Sequence, residues 1–317
     1  MSALAAELEG IELGDARLNR RAKKVLSRLG DKPTVSIPAA CGGWDETRAA
    51  YRLFDHDKVT AQQVLEPHYQ ASQRRMADHR QVLCIQDTTE LDYSSKGDIE
   101  GLGPLNYEAR QGLYLHPTLA VTPERLCLGV IDTWTWTREP GSLGQPKGNR
   151  PIEEKESLRW LEGYRRVCER QADLPDTQCI YVADRESDIY EIFVEQSAQS
   201  PAADYLLRGQ HDRKLSDGRF LRQALDQAPV LDLVEFDLPK NPQHPARKIT
   251  QTLRAARVIL KAPSRMGIKL PDMEVTALLA QEENPPNGAA PIEWLLLTNL
   301  PIDTAEQATE KLAWYLC

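Results

Sequence analysis

No stretch of the 317-residue chain approaches the apolar length of a membrane span, and its opening, Met-Ser-Ala-Leu-Ala-Ala-Glu-Leu-Glu, lacks the charged start and apolar core of a signal peptide. A cytoplasmic protein with no membrane partner is the expectation. The six cysteines, Cys41, Cys84, Cys127, Cys168, Cys179 and Cys317, include no Cys-x-x-Cys pair. Three of them, Cys84, Cys127 and Cys179, sit inside apolar strand-like runs, so the set reads as buried free thiols and not as a disulfide frame or zinc site. His56, His68, His79, His116, His211 and His244 are scattered, with no pair at metal-ligand spacing. A Gly-x-Ser-x-Gly elbow, a Gly-rich phosphate loop and a dinucleotide fingerprint are also missing, which leaves serine hydrolases, P-loop enzymes and Rossmann dehydrogenases without a sequence basis.

What is present is the composition of a soluble globular protein, 41% hydrophobic and 27% charged, long enough for one large or two modest domains. The net charge of -8 argues against a protein that coats nucleic acid indiscriminately, but a chain average hides local patches. One such patch holds Arg17, Arg20, Arg21, Lys23, Lys24, Arg28 and Lys32 against the single acid Asp31. Leu18, Ala22, Val25, Leu26 and Leu29 recur there at helical spacing, giving an amphipathic helix with a basic outer face. That face is either a solvated surface or a phosphate-contacting one.

Residues 1–75 read as helical: the basic helix, a loop through Lys32–Pro38, a helix from about Asp45 to Phe54, and another after Thr60, a natural N-cap. From Gln81 strands take over at Val82–Gln86, Tyr114–Val121 and Leu126–Trp136, with a polar Gly-rich connection over Gly97–Gly112 between the first two. A helix over Glu153–Arg170, a strand at Cys179–Ala183, a helix over Ser187–Gln196 and a strand at Tyr205–Arg208 follow. That order matches a mixed α/β sheet of the ribonuclease H type. Residues 210–298 then read as an inserted region of strands, and Thr304–Leu316 as a helix with no stop signal after it.

Two apolar runs end on an acid: Val82-Leu83-Cys84-Ile85-Gln86-Asp87 and Ile180-Tyr181-Val182-Ala183-Asp184. Each aspartate alone is open to a second reading as a turn or helix N-cap residue. In a ribonuclease-H-type sheet their strands are neighbours, which would bring the two carboxylates together at the carboxyl edge. Paired carboxylates suit a hard divalent cation, Mg²⁺ or Mn²⁺, acting on a phosphodiester.

Leu13-Gly14-Asp15-Ala16-Arg17-Leu18, Ala50-Tyr51-Arg52-Leu53-Phe54, Gln86-Asp87-Thr88-Thr89-Glu90-Leu91, Glu154-Lys155-Glu156-Ser157, Asp184-Arg185-Glu186-Ser187-Asp188 and Glu293-Trp294-Leu295-Leu296-Leu297-Thr298 together resemble the successive signatures of DDE transposases of the insertion sequence four family, in its transposon-five branch. The resemblance implies a helical DNA-binding domain at 1–75 and a ribonuclease-H-like catalytic core at 76–317 with a β insertion at about 210–298. It makes Asp87 and Asp184 the first two metal ligands, and double-stranded transposon-end DNA the partner, held by a homodimer. It assigns DNA contacts to Arg17, Arg20, Arg21, Lys24, Arg48, Arg52, Arg208, His211, Arg213, Lys214, Trp294 and Tyr315. For Trp294 the alternative is a core residue of a β-strand. Gln210 departs from the family lysine at its position. The family's third carboxylate belongs to a Tyr-x-x-Arg-x-x-x-Glu helix of which Tyr315 supplies the tyrosine; the chain ends at Cys317, so the expectation is a truncated, catalytically impaired product lacking the dimerisation helices. A non-catalytic regulator that occupies transposon ends is the alternative.

Overall fold

The computed structural model describes residues 6–97, 99–143, 152, 155–240, 246–264, 269–286 and 290–317. The chain divides into two units, Met1–Asp78 with Leu128–Ile131, and His79–Cys127 with Asp132–Cys317.

In the first unit Asp15 caps α1 (Ala16–Asp31) by accepting from the Arg17 N–H at 2.6 Å. Leu18, Ala22 and Val25 form its buried stripe, and the cations fall on the rest of its surface. A short α2 (Ile37–Cys41) starts inside the segment read as a loop, because Pro38 falls in the first helical turn, where no backbone donor is needed. α3 (Trp44–Phe54) turns Thr47, Ala50 and Leu53 inward, and α4 (Ala61–Met76) opens on a Thr60–Gln63 capping box. Leu8, Ile11 and Leu13 join these helices in one core. Arg75 of α4 binds Glu7 at 2.8 Å and the Leu128 carbonyl at 2.5 Å. His68 accepts from the Val130 N–H at 3.1 Å and lies 2.7 Å from Glu7, so its Nδ1 donates to that carboxylate.

The second unit is a mixed α/β structure. Its elements are β1 (Gln81–Gln86), β2 (Thr89–Asp92), β3 (Gly103–Pro104), β4 (Gln111–Val121), β5 (Cys127–Trp136), α5 (Leu158–Asp173), β6 (Gln178–Ala183), α6 (Tyr190–Ala198), β7 (Asp204–Arg208), α7 (Leu221–Asp226), β8 (Val230–Leu238), β9 (Arg247–Leu260), β10 (Met273–Glu282), β11 (Glu293–Thr298) and α8 (Ala305–Tyr315). The strands make one sheet in the order β2-β4-β1-β6-β7-β11-β10-β9-β8, with β3 and β5 on β4. β1, β6 and β7 are parallel neighbours; the other registered pairs are antiparallel. The region read as an insertion therefore continues the same sheet through β11.

Three local readings are corrected. The Gly-rich connection Gly97–Gly112 carries β3 and the start of β4, since Gly103 and Pro104 pair with Gly112 and Gln111, and the additional strand β2 precedes it; Asp98 lies outside the described residues. α5 starts at Leu158 and not at Glu153; Glu153 and Glu154 lie outside the described residues. Cys127 is exposed, because it follows the Thr122–Leu126 turn at the tip of the β4–β5 hairpin, and Cys317 is exposed too.

Parallel strands need cover on both faces, and alternation along β6 divides it. Ile180 and Val182 point, with Leu83 of β1 and Leu206 of β7, into a cluster closed by Ala308, Leu312 and Trp314 of α8. Tyr181 points the other way, donating to the Trp160 carbonyl of α5 at 3.0 Å and to Gln86 Oε1 at 2.6 Å. Gln86 in turn donates to Thr118 Oγ1 at 2.9 Å, so a fully buried amide is held at both ends. Gly163 of α5 permits this, because a Cβ there would collide with the Gln86 amide. Gly163→Ala gains helix propensity of about 1 kcal/mol but overpacks a polar group that has nowhere to go. A net loss of roughly 1–3 kcal/mol in urea unfolding is expected; an alanine variant as stable as the parent would contradict this packing.

Candidate functional site

The register of the parallel strands sets the site. Gln86 of β1 lies opposite Ala183 of β6, which lies opposite Leu207 of β7. Asp87, Asp184 and Arg208 are each the next residue along, so they form one row across the carboxyl ends of three adjacent strands. Alternation puts all three on the side of Leu83, Val182 and Leu206, the side covered by α8.

Asp87 is exposed, and its Oδ1 accepts from the Thr88 N–H at 2.7 Å. Thr88 Oγ1 lies 2.8 Å from His116 Nδ1, and the His116 ring also bonds the Asp87 backbone. Burial, with the Arg159 charge, lowers the His116 pKa to about 3, so a neutral imidazole steadies the end of β1. Asp184 is half-buried. Its Oδ1 accepts from the Glu186 N–H at 2.9 Å and caps the short 3-10 turn Arg185–Ser187, so the capping role open from sequence is realised beside the pairing. Burial raises its pKa above the ordinary carboxylate value; the Glu186 N–H opposes this, the Asp87 charge adds to it, and Arg208 and Arg185 pull it down. Tyr315 at the end of α8 is raised first by burial, hydrogen-bonds Arg208 and senses the Asp184 charge. The structure thus gathers Asp87, Asp184, Arg208 and Tyr315, four of the residues singled out in the sequence.

It disperses others. Arg213 is committed to Asp188, whose side chain is 0% exposed and also accepts from the Gln210 and His211 N–H groups at 2.8 and 3.0 Å. Arg213 therefore holds the 209–214 loop together, while His211 and Lys214 stand exposed on it. Trp294 is half-buried against the α8-side core, its ring 5.6 Å from that of Phe236. In the first unit Lys24 pairs with Glu46, as does Arg28 at 3.2 Å. Arg17, Arg20, Arg48 and Arg52 are exposed and Arg21 partly so, and none has a carboxylate at ion-pair distance among the described residues. Asp188 escaped the reading of single residues, although the Asp184-Arg185-Glu186-Ser187-Asp188 motif contains it. Arg185 and His116 were missed as well, since only the fold brings them to the acids.

Among the described residues no group of three or more His, Cys, Asp and Glu side chains is arranged to hold a metal ion, and no helix is long and apolar enough to cross a membrane.

Residues 1–59 match the family model for transposase DNA-binding domains. DNA is the partner that this match supports. The chain is also similar to a piggyBac transposase seen by cryo-electron microscopy in a synaptic complex with hairpin DNA, at 10% identity and a TM-score of 0.38, over 94% of this chain and 56% of that one. It spans little more than half the length of that chain.

The raised pKa of Asp184 has a stability consequence. The folded state binds its proton more tightly than the unfolded chain does, so ionised Asp184 costs stability above the ordinary aspartate value of 3.8, and the cost is complete only above the folded pKa. Asp184→Asn keeps the capping oxygen and removes the charge. A higher melting temperature than the parent at pH 7, with the difference vanishing as pH falls below 3.8, is the expected result of thermal unfolding; a lower melting temperature at pH 7 would contradict it.

Proposed function

We propose that the chain is a transposase of the DDE type, with a ribonuclease-H-like unit carrying a metal-dependent phosphodiester site and a helical unit that binds the double-stranded DNA of transposon ends. The observation that carries this reading is the row Asp87, Asp184 and Arg208 at one sheet edge, joined to a family match over residues 1–59. The strand order β5-β4-β1-β6-β7, with parallel pairing beginning at β1, supports the ribonuclease-H-like assignment, and β8–β11 are its β insertion.

The donor set fits Mg²⁺ or Mn²⁺. Two carboxylates offer hard oxygen ligands, and burial, with the Asp87 charge adding to it, raises Asp184, a cost that a divalent cation would relieve. When bound, the ion supplies Lewis-acid polarisation of a phosphodiester and a more acidic water. Asp87 and Asp184 would hold it. Arg208, next in the row, presents a guanidinium for a DNA phosphate, with Tyr315 fixing its direction. His211 and Lys214 extend the cationic edge along a loop that Asp188 and Arg213 keep in shape. In the first unit Arg17, Arg20, Arg21, Lys24, Arg48 and Arg52 bind phosphates, and two copies of the chain pair two ends.

A second reading rests on the lack of a third acid beside Asp87 and Asp184 among the described residues: the chain then occupies transposon ends as a regulator without cutting them. Gel-shift titration on a duplex carrying the element's ends, repeated over a salt series, tests DNA binding. Joint replacement of Arg48 and Arg52 by alanine is expected to reduce the slope of log affinity against log salt by about two, one for each phosphate contact; an unchanged slope would count against the assignment. Cleavage in Mg²⁺ or Mn²⁺ that Asp87→Asn abolishes selects the catalytic reading, and binding without cleavage selects the regulator.

A further inference from the structure

β4 holds a proline where its partner strand needs a donor. The register of β1 on β4 runs to Gln86 opposite Thr118 and resumes in β2 with Thr89 opposite Leu115. Carried through the two residues between, it sets Pro117 opposite Asp87 and His116 opposite Thr88. Pro117 has no N–H, so the Asp87 carbonyl lacks its ladder donor and the pairing lapses over Asp87 and Thr88. The residue before the proline supplies a replacement. The His116 ring donates to the Asp87 carbonyl, and its Nδ1 lies 2.8 Å from Thr88 Oγ1. Nε2 has no partner among the described residues, which leaves Nδ1 as the atom that serves both.

The ring is aimed by what surrounds it. His116 is fully buried and stands edge-on to Trp160, with centroids 4.5 Å apart, and to Trp136, at 6.1 Å. Trp136 is itself held, because its ring stacks on that of Tyr114 at 5.0 Å and the Arg159 guanidinium lies 3.7 Å from its centroid. Arg138 lies over the Tyr114 ring at 4.4 Å. Both arginines face one carboxylate, Glu156, which accepts from Arg138 at 2.9 Å and stands 3.8 Å from Arg159. Glu156 belongs to the Glu-Lys-Glu-Ser run singled out in the sequence, and through Trp136 and His116 it reaches the end of β1.

We propose that His116 is a positioning residue for the Asp87–Asp184 pair, its ring standing in for the N–H that Pro117 lacks, with Glu156 holding the arginine and indole groups that aim it. The Asp87 carboxylate faces the α8 side of the sheet. The hydrogen bond from His116 fixes the peptide behind it, and with that the direction of the Asp87 Cα–Cβ bond toward Asp184. This rests on the divalent-cation reading above and deepens it by naming the group that sets the spacing of the two carboxylates.

Calorimetric titration of Mn²⁺ into the full chain, with melting temperatures recorded alongside, tests this. His116→Leu removes the donor and is expected to weaken binding by about tenfold or more, as loss of a group that orients a metal ligand does. His116→Asn places an amide nitrogen where Nδ1 stands and is expected to recover most of that loss, although it fills the space between the indoles no better than leucine. Pro117→Ala returns the backbone N–H, so in the His116→Leu background it is expected to restore affinity as well. A purely structural His116 would give equal losses in the leucine and asparagine variants, in step with their melting temperatures and indifferent to Pro117→Ala. That pattern, or parental affinity in His116→Leu, overturns the proposal. Where His116→Leu does not fold, Glu156→Gln serves instead, since it keeps its volume at a part-exposed position and touches neither aspartate. A smaller loss in the same direction is expected there, and parental affinity overturns the proposal. A parent chain that binds no Mn²⁺, or binds it as Asp87→Asn does, removes the divalent-cation reading and this inference with it. Loss in Asp87→Asn without loss in His116→Leu removes this inference alone.

Discussion

The parallel pairing of β1 with β6 is the constraint on which the rest depends. Six consecutive register pairs, from Gln81 opposite Gln178 to Gln86 opposite Ala183, leave no freedom in where the next residues fall. A slip of one residue on either strand would turn one aspartate to the opposite face and break the row with Arg208. The pairing also accepts a cost, because Asp184 is partly desolvated beside a second carboxylate. Such a cost is tolerated where the surrounding structure over-determines the position.

Several contacts do that over-determining. On one face Gln86, Tyr181 and Thr118 form a buried hydrogen-bonded chain under Gly163 of α5, and on the other Leu83, Ile180 and Val182 pack against α8. His116 reaches the end of β1 from β4, and Asp188 gathers the loop that follows β7. α8 has a double part, since Leu312 and Trp314 close the core and Tyr315 meets Arg208 at the edge. Folding energy and site geometry are therefore supplied by the same elements.

Much of this arrangement was legible in the residues. The apolar runs ending in Asp87 and Asp184 marked the central strands because strands buried on both faces are continuous hydrophobic segments. Thr60 and Thr304 marked helix starts because their hydroxyls close capping boxes. What sequence could not give was long-range placement. β2 is short and polar, so only its partner on β4 defines it as a strand. Arg213 looked like Lys214, a basic residue on a loop, until the fold set it against Asp188. The exposure of Trp44 and Tyr51 follows from the phase of α3, in which Thr47, Ala50 and Leu53 take the inward positions.

In the function proposed, Asp87 and Asp184 act as one divalent-cation site. Calorimetric titration of Mn²⁺ into the full chain, alongside Asp87→Asn and Asp184→Asn, measures this directly. A saturable binding event in the parent that weakens at least tenfold in each variant, roughly 1.4 kcal/mol, is the expected result. Equal Mn²⁺ affinity in the parent and in either variant would contradict it.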